Sequence, residues 1–248
     1  MEKSYLKKLN VKILILSRSR YNSITAHKIL PEYIEILVPE SQKSLYEKSV
    51  NNPIITVPDN IKGLGSLRNW VLDHFSEKCI IMIDDDVKGC YSLMGSLSKQ
   101  MSKDEVIEIL ISTYITANDS GCKVFGFSQT DIRKYNACDP FKLNTWIGGV
   151  IGIIGRDYRF RDDKFKVDID FCLQNLLIDR IVWCDARYLF NQERDNNVGG
   201  NSDFRTEDEY FKSLDSLLKK WGKYIKISDM KSQFKVRLKV KRRQRIKW

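Results

Sequence analysis

The sequence has little histidine, and the two it has, His27 and His74, both lie in its first third. A histidine-rich metal site is therefore not expected. Its six cysteines, at positions 79, 90, 122, 138, 172 and 184, form no Cys-x-x-Cys pair. Most sit in apolar runs, so they read as small buried hydrophobes and not as a disulfide framework or zinc site. No apolar run approaches the ~20 residues needed to cross a bilayer, and the N-terminus lacks the apolar stretch of a signal peptide, so no membrane partner and a cytoplasmic location are expected. Acids are also missing at one end: none follows Asp229, while nine lysines and arginines fall between Lys231 and Lys247. Nearly all of the net charge of +10 resides there. A local basic excess is the footprint expected for a polyanion, although a merely solvated tail has the same composition.

Nucleotide signatures are absent as well. Gly63-Leu64-Gly65 has neither the third glycine of a dinucleotide fingerprint nor the Gly-Lys-Ser/Thr of a phosphate loop. The acidic run at 84–86 is not the motif of aspartyl-phosphate phosphatases either, because position 88 is lysine.

What is present centres on Cys79-Ile80-Ile81-Met82-Ile83-Asp84-Asp85-Asp86-Val87. The apolar run reads as a strand buried on both faces, as in a parallel sheet. Three unpaired carboxylates cannot be buried with it, so they should emerge at its carboxyl end, where open α/β sheets bind ligands. An acidic turn is the plainer reading. A seat for Mg²⁺ or Mn²⁺ is the functional one, since hard cations take oxygen ligands and hold phosphate oxygens.

The segments around it alternate. Strands are expected at Val11–Ser17, Ile34–Glu40, Ile54–Pro58 and through the acidic stretch. Between them fall helices at Ile24–Leu30 (with Ser23 as cap), Gln42–Val50 and Ser66–Lys78. Short connections in a β-α-β series imply right-handed crossovers and a mainly parallel sheet covered by helices. Further on, residues 88–100 read as a connection, Asp104–Ala117 as a helix and Lys123–Ser128 as a strand, followed by irregular chain to Asn144. The glycine-rich apolar run Trp146–Gly155 suggests bends or the close approach of a ligand. Val167–Leu177 is a helix with acids in its first turn, Ile181–Cys184 leads into a strand, and Asn191–Asn201 is a polar loop. A last helix runs from Thr206 to Tyr224. Phe234–Val240 alternates apolar with basic residues, as a half-buried edge strand would. The length of 248 residues suits one domain. Its parts would be a nucleotide-binding half at 11–87, an acceptor-side half at 88–230 and the basic segment at 231–248.

Gly65-Ser66-Leu67-Arg68-Asn69, leading through one helix to Ile83-Asp84-Asp85-Asp86, resembles the nucleotide-sugar half of GT-A glycosyltransferases, which carry an Arg-Asn helix and an Asp-x-Asp strand end. More narrowly, residues 11–190 resemble the TET-associated glycosyltransferases of bacteriophages, which glycosylate hydroxymethylated pyrimidines in DNA. The resemblance implies a Rossmann-like GT-A sheet flanked by helices, with a C-terminal acceptor-side extension. It also implies a UDP-sugar donor, a divalent cation (Mn²⁺ or Mg²⁺) and double-stranded DNA bearing 5-hydroxymethylcytosine as acceptor. Asp86 would hold the cation directly, and Asp84 the ribose or a metal-bound water. The donor set becomes Ser17, Arg18, Arg20, Glu40, Gly65, Arg68, Asn69, Asp84, Asp85, Trp146, Gly148 and Gly149. The guanidiniums of Arg18, Arg20 and Arg68 suit a diphosphate. Many GT-A enzymes take a third metal ligand from a C-terminal histidine. None follows His74, so that ligand is a carboxylate, water or absent.

Inverting transfer needs a carboxylate to accept the proton of the acceptor hydroxyl. Asp168 is the candidate and Asp170 its rival, on a segment that resembles the acidic helix start of inverting GT-A enzymes. The plainer reading is two acids favouring a helix dipole. Lys235, Arg237, Lys239, Lys241, Arg242, Arg243 and Arg245 would hold DNA phosphates. Three readings compete: a GT-A enzyme with a protein, glycan or small-molecule acceptor, a nucleotidyltransferase, and a non-catalytic nucleic-acid-binding module. Nothing in the sequence fixes an oligomeric state.

Overall fold

The computed structural model describes residues 3–93, 98–131, 139–162, 166–192, 207–228 and 235–240. In chain order the elements are α1 (Lys3–Lys8), β1 (Val11–Leu16), β2 (Glu35–Pro39), α2 (Lys43–Glu47), β3 (Ile54–Val57), α3 (Leu64–His74), β4 (Cys79–Asp84), β5 (Val87–Ser92) and β6 (Lys99–Gln100). There follow α4 (Lys103–Asp119), β7 (Val124–Ser128), β8 (Phe141–Lys142), β9 (Val150–Ile154), α5 (Val167–Ile178), β10 (Trp183–Gln192), α6 (Glu207–Trp221), β11 (Ile225–Ser228) and β12 (Lys235–Leu238).

One sheet of ten described strands runs β3-β2-β1-β4-β9-β7-β10-β5-β6, with β8 against β10. The first half is the expected parallel β-α-β series: β3, β2, β1 and β4 pair parallel in turn. Beyond β4 the sheet is mixed, with β9 antiparallel to both β4 and β7 and with β10 parallel to β7.

The strands bury both faces. Along β4, Cys79, Ile81 and Ile83 join one apolar cluster with α4, while Ile80 and Met82 join a second with α3, α5 and α6. This is the period-two alternation of a strand between two layers. Among the described residues no helix is long and apolar enough to cross a membrane.

Several local expectations give way to tertiary contacts. Ile24–Leu30 forms no α-helix, only a 3-10 turn at Ala26–Lys28. The amides of Thr25 and Ala26 donate instead to the Asp85 carbonyl, and the Thr25 hydroxyl to Val87. Residues 88–100 are not a plain connection either: β5 and β6 pair within them, and β5 adds to β10. The alternation that marks a strand is broken in β5 by Lys88 and Gly89, and its partner lies about a hundred residues on. The glycines of the 146–155 run divide. Gly152 makes room for the Phe125 ring, whose nearest atom lies 2.1 Å from where a Cβ would stand. Gly149 meets the acidic strand end instead, its carbonyl accepting from the Asp84 amide, and Gly148 faces Asp168 and Gln129.

The helices end where chemistry ends them. Ser102 and Glu105 form a reciprocal capping box at the start of α4. At the other end of α3, the Arg156 guanidinium donates to the carbonyls of Leu72, Phe75 and Glu77, groups a helix terminus leaves without partners. Asn69 clamps the same segment, donating to the Phe160 carbonyl at 2.8 Å and accepting from its amide at 2.9 Å.

Candidate active site

The acidic triplet emerges at the carboxyl end of β4, between parallel β1 and antiparallel β9. The Asp84 amide donates to the Gly149 carbonyl at 2.7 Å, which fixes the glycine pair against the strand end. The three carboxylates diverge in environment.

Asp85 turns inward. It is 5% exposed, accepts from Ser17 Oγ at 2.6 Å and from Arg20 Nη1 at 2.6 Å. Ser17 in turn lies 2.6 Å from the Tyr46 hydroxyl, and that hydroxyl accepts from the Arg20 amide. Burial pushes the Asp85 carboxyl up to about 6, against the opposing pull of Arg20 and Ser17. Asp85 and Ser17 thus form a buried brace for Arg20.

Asp84 and Asp86 turn toward the glycines. Gln192 Nε2 bridges them, 3.1 Å from Asp84 Oδ2 and 2.7 Å from Asp86 Oδ1. Arg68, 1% exposed, donates from Nη2 to Asp84 Oδ1 at 3.1 Å. Its Nε and Nη1 have no hydrogen-bond partner among the described residues, and the Phe160 ring lies 5.3 Å from the guanidinium carbon. Arg20 Nη1 also reaches Asp86 Oδ2, at 3.2 Å. Burial first, and the charge of Asp84 second, raise the Asp86 carboxyl above its ordinary value. Two guanidiniums face three carboxylates, so the cluster keeps an uncompensated negative charge, the condition a bound cation relieves. Among the described residues no three His, Cys, Asp or Glu side chains are arranged to hold a metal ion. The donor set is two carboxylates of hard oxygen, which suits Mg²⁺ or Mn²⁺, ions that keep water and phosphate oxygens as further ligands.

On the other side of the glycine pair stands Asp168, on the first turn of α5. A Cβ on Gly148 would lie 2.8 Å from Asp168 Oδ2, 2.7 Å from Gln129 Nε2 and 3.3 Å from the Trp146 ring. Asp168 is half-buried, and Gly148 leaves the space between it and Gln129 open. Asp170, the rival base, is wholly buried. It accepts from Trp221 Nε1 at 2.6 Å and Gln174 Nε2 at 2.7 Å, and pairs with Lys220 Nζ at 2.9 Å. Asp170 therefore ties α6 to α5.

The structure brings together Arg20, Arg68, Asp84, Asp85, Asp86, Trp146, Gly148, Gly149 and Asp168. It leaves others occupied elsewhere. Arg18 donates to the Ile61 carbonyl, Glu40 is exposed in a 3-10 turn, and Asn69 clamps Phe160. Gly65 lets α3 approach the Arg161 carbonyl, 2.1 Å from where a Cβ would stand. Arg237 and Lys239 are exposed on and beside β12, and Lys235 opens that strand; Lys241, Arg242, Arg243 and Arg245 lie outside the described residues. Gln129 and Gln192 were not found by sequence reasoning, because a lone glutamine carries no motif.

Residues 11–200 match the family model described as TET-Associated Glycosyltransferase. The chain belongs to this family. It is thus a glycosyltransferase, and its solved neighbours share the GT-A fold. Glucosyl-3-phosphoglycerate synthase from Mycobacterium tuberculosis, solved with Mn²⁺, UDP-glucose and phosphoglyceric acid, matches with a TM-score of 0.52 at 10% identity, over 95% of this chain and 89% of its own. The same synthase with Mg²⁺ and UDP matches with a TM-score of 0.51 at 10% identity, over the same shares. S. aureus TarS 1–349 matches at a TM-score of 0.44 and 12% identity, over 73% of this chain, which spans 60% of that one. A comparison with curated proteins found no match.

Proposed function

We propose that this glycosyltransferase moves a sugar from a UDP-sugar to the hydroxyl of a hydroxymethylated pyrimidine, 5-hydroxymethylcytosine, in DNA, with inversion at the anomeric carbon. The observation that carries the reading is the pair of carboxylate groups flanking Gly148 and Gly149: Asp84 with Asp86 on one side, Asp168 on the other. The first pair would hold a divalent cation, which when bound neutralises charge on the departing diphosphate. Arg20 extends toward the same end of the site, held there by Asp85. Asp168 accepts the acceptor hydroxyl's proton while the oxygen bonds to the anomeric carbon and the bond to the diphosphate breaks, releasing UDP. Trp146 supplies an aromatic wall beside this point. The family description supports the DNA acceptor, as do the exposed Arg237 and Lys239. The glucosyl-3-phosphoglycerate synthase, solved with UDP-glucose and either cation type in its structures, supports the donor and the cation.

The test is incubation with radiolabelled UDP-sugars, Mn²⁺ and duplex DNA containing 5-hydroxymethylcytosine. Label enters the DNA, and Asp86→Ala lowers its rate at least about a hundredfold. UDP release without labelled DNA would assign another acceptor. Pyrophosphate release from a nucleoside triphosphate and a sugar phosphate would assign a nucleotidyltransferase, and DNA binding without turnover a binding module.

A further inference from the structure

Gln192 closes β10, and the register of β10 against β5 slips between Asn191 and Gln192. A bulge of this kind turns a side chain out of the alternation its strand imposes, and bulges recur beside active sites. The redirected side chain puts Nε2 between Asp84 Oδ2 and Asp86 Oδ1. Its Oε1 packs over Gly149, 2.8 Å from where a Cβ would stand. Gly149 has φ +74, so both its backbone and this contact favour glycine. Bulge and glycine together hold an amide at the cation seat. A third feature is independent of both: among the described residues only two guanidiniums, those of Arg20 and Arg68, face the three carboxylates of the seat, which leaves negative charge for a cation to offset.

An amide nitrogen between two carboxylates stands where a cation would stand. A primary amide carries donor and acceptor on one carbon, and a half-turn about its last bond exchanges them. We propose that Gln192 is the third protein ligand of the cation seat. Without a cation, Nε2 holds the Asp84 and Asp86 carboxylates together. With one, the amide presents Oε1. This fills by a neutral oxygen the place for which the sequence has no histidine after His74. Neutrality matters, because a third carboxylate ligand would add repulsion to a cluster already short of positive charge. The inference rests on the cation seat of the proposed function.

Mn²⁺ binding, followed by the loss of the free-ion paramagnetic signal, tests it in the full chain with and without UDP. Gln192→Ala should weaken binding about tenfold, and Gln192→Glu, of nearly the same shape, should tighten it. In EDTA, Gln192→Ala should lower the melting temperature, since the bridge between the carboxylates is gone. Unchanged or tighter Mn²⁺ binding in Gln192→Ala, with a wild type that binds, overturns the ligand role and leaves the seat standing. A wild type that binds no Mn²⁺ under either condition overturns both. Should Gln192→Ala fail to fold, Gln192→Met, of similar length and without an oxygen, decides: weakened binding supports the role, unchanged binding removes it.

Discussion

Arg68 is one of the largest wholly buried side chains, and a lone buried cation is costly. Its partner is Asp84, whose side chain is 22% exposed. The arginine therefore acts on the carboxylate from beneath. Arg68→Met should destabilise the protein by roughly 3 kcal/mol, since three carboxylates then face one guanidinium. Urea unfolding measures this, and a loss under about 1 kcal/mol would mean that water already screens the cluster. The two acids of α5 part at the same scale. Asp168→Asn should abolish transfer in a protein that melts normally, because no base remains at Gly148. Asp170→Asn should lower stability by about 2 kcal/mol, the worth of a charged hydrogen bond, while folded enzyme retains turnover. Parallel melting curves and rates separate the two. The reverse pattern would make Asp170 the base.

At the scale of elements, the strands legible in the sequence are those buried on both faces. Val11–Leu16 is apolar but for Lys12 and Cys79–Asp84 is apolar up to its final carboxylate, and both form as read. Their alternation into two clusters needs no further signal. The elements that escaped, β5 and the failed helix at 24–30, owe their state to distant partners: β10 for the first, the Asp85 carbonyl for the second. Helix α6 shows a middle case. Its existence follows from its own periodicity, but its seating depends on Trp221 and Lys220 meeting Asp170 fifty residues earlier. The same contact joins the helix of Asp168 to the β11–β12 hairpin, whose Ile225 and Val236 pack in the shared core.

Across the whole molecule, the sheet separates a closed interior from a charged rim. Five cysteines, Cys79, Cys90, Cys122, Cys172 and Cys184, are buried, and none is in a disulfide among the described residues. Burial raises the thiols of Cys79 and Cys172 and pushes Cys90 and Cys184 up to about 12. None of these should react with a chromogenic disulfide at pH 8 until the chain unfolds, and stopped labelling with mass spectrometry counts them; rapid native labelling of any would contradict its burial. At the rim, Arg237 and Lys239 are exposed beside a hairpin anchored by its apolar side. Arg237→Glu with Lys239→Glu should weaken DNA binding and lower the slope of log affinity against log salt by about 2, one for each phosphate no longer neutralised. Fluorescence anisotropy across a potassium chloride series reads the slope, and an unchanged slope would place the DNA elsewhere.

The sequence by itself determined the β-α-β half, the emergence of Asp84–Asp86 at a strand end and the concentration of positive charge beyond Asp229, because burial periodicity and unpaired charge act locally. Only the tertiary structure decided what each acid does. Asp84, Asp85 and Asp86 are chemically alike and adjacent, yet one meets a buried arginine, one a serine brace and one a glutamine brought from the far end of β10. Those partners lie 16, 68 and 106 residues away, and no local pattern records which long-range contact will meet which carboxylate.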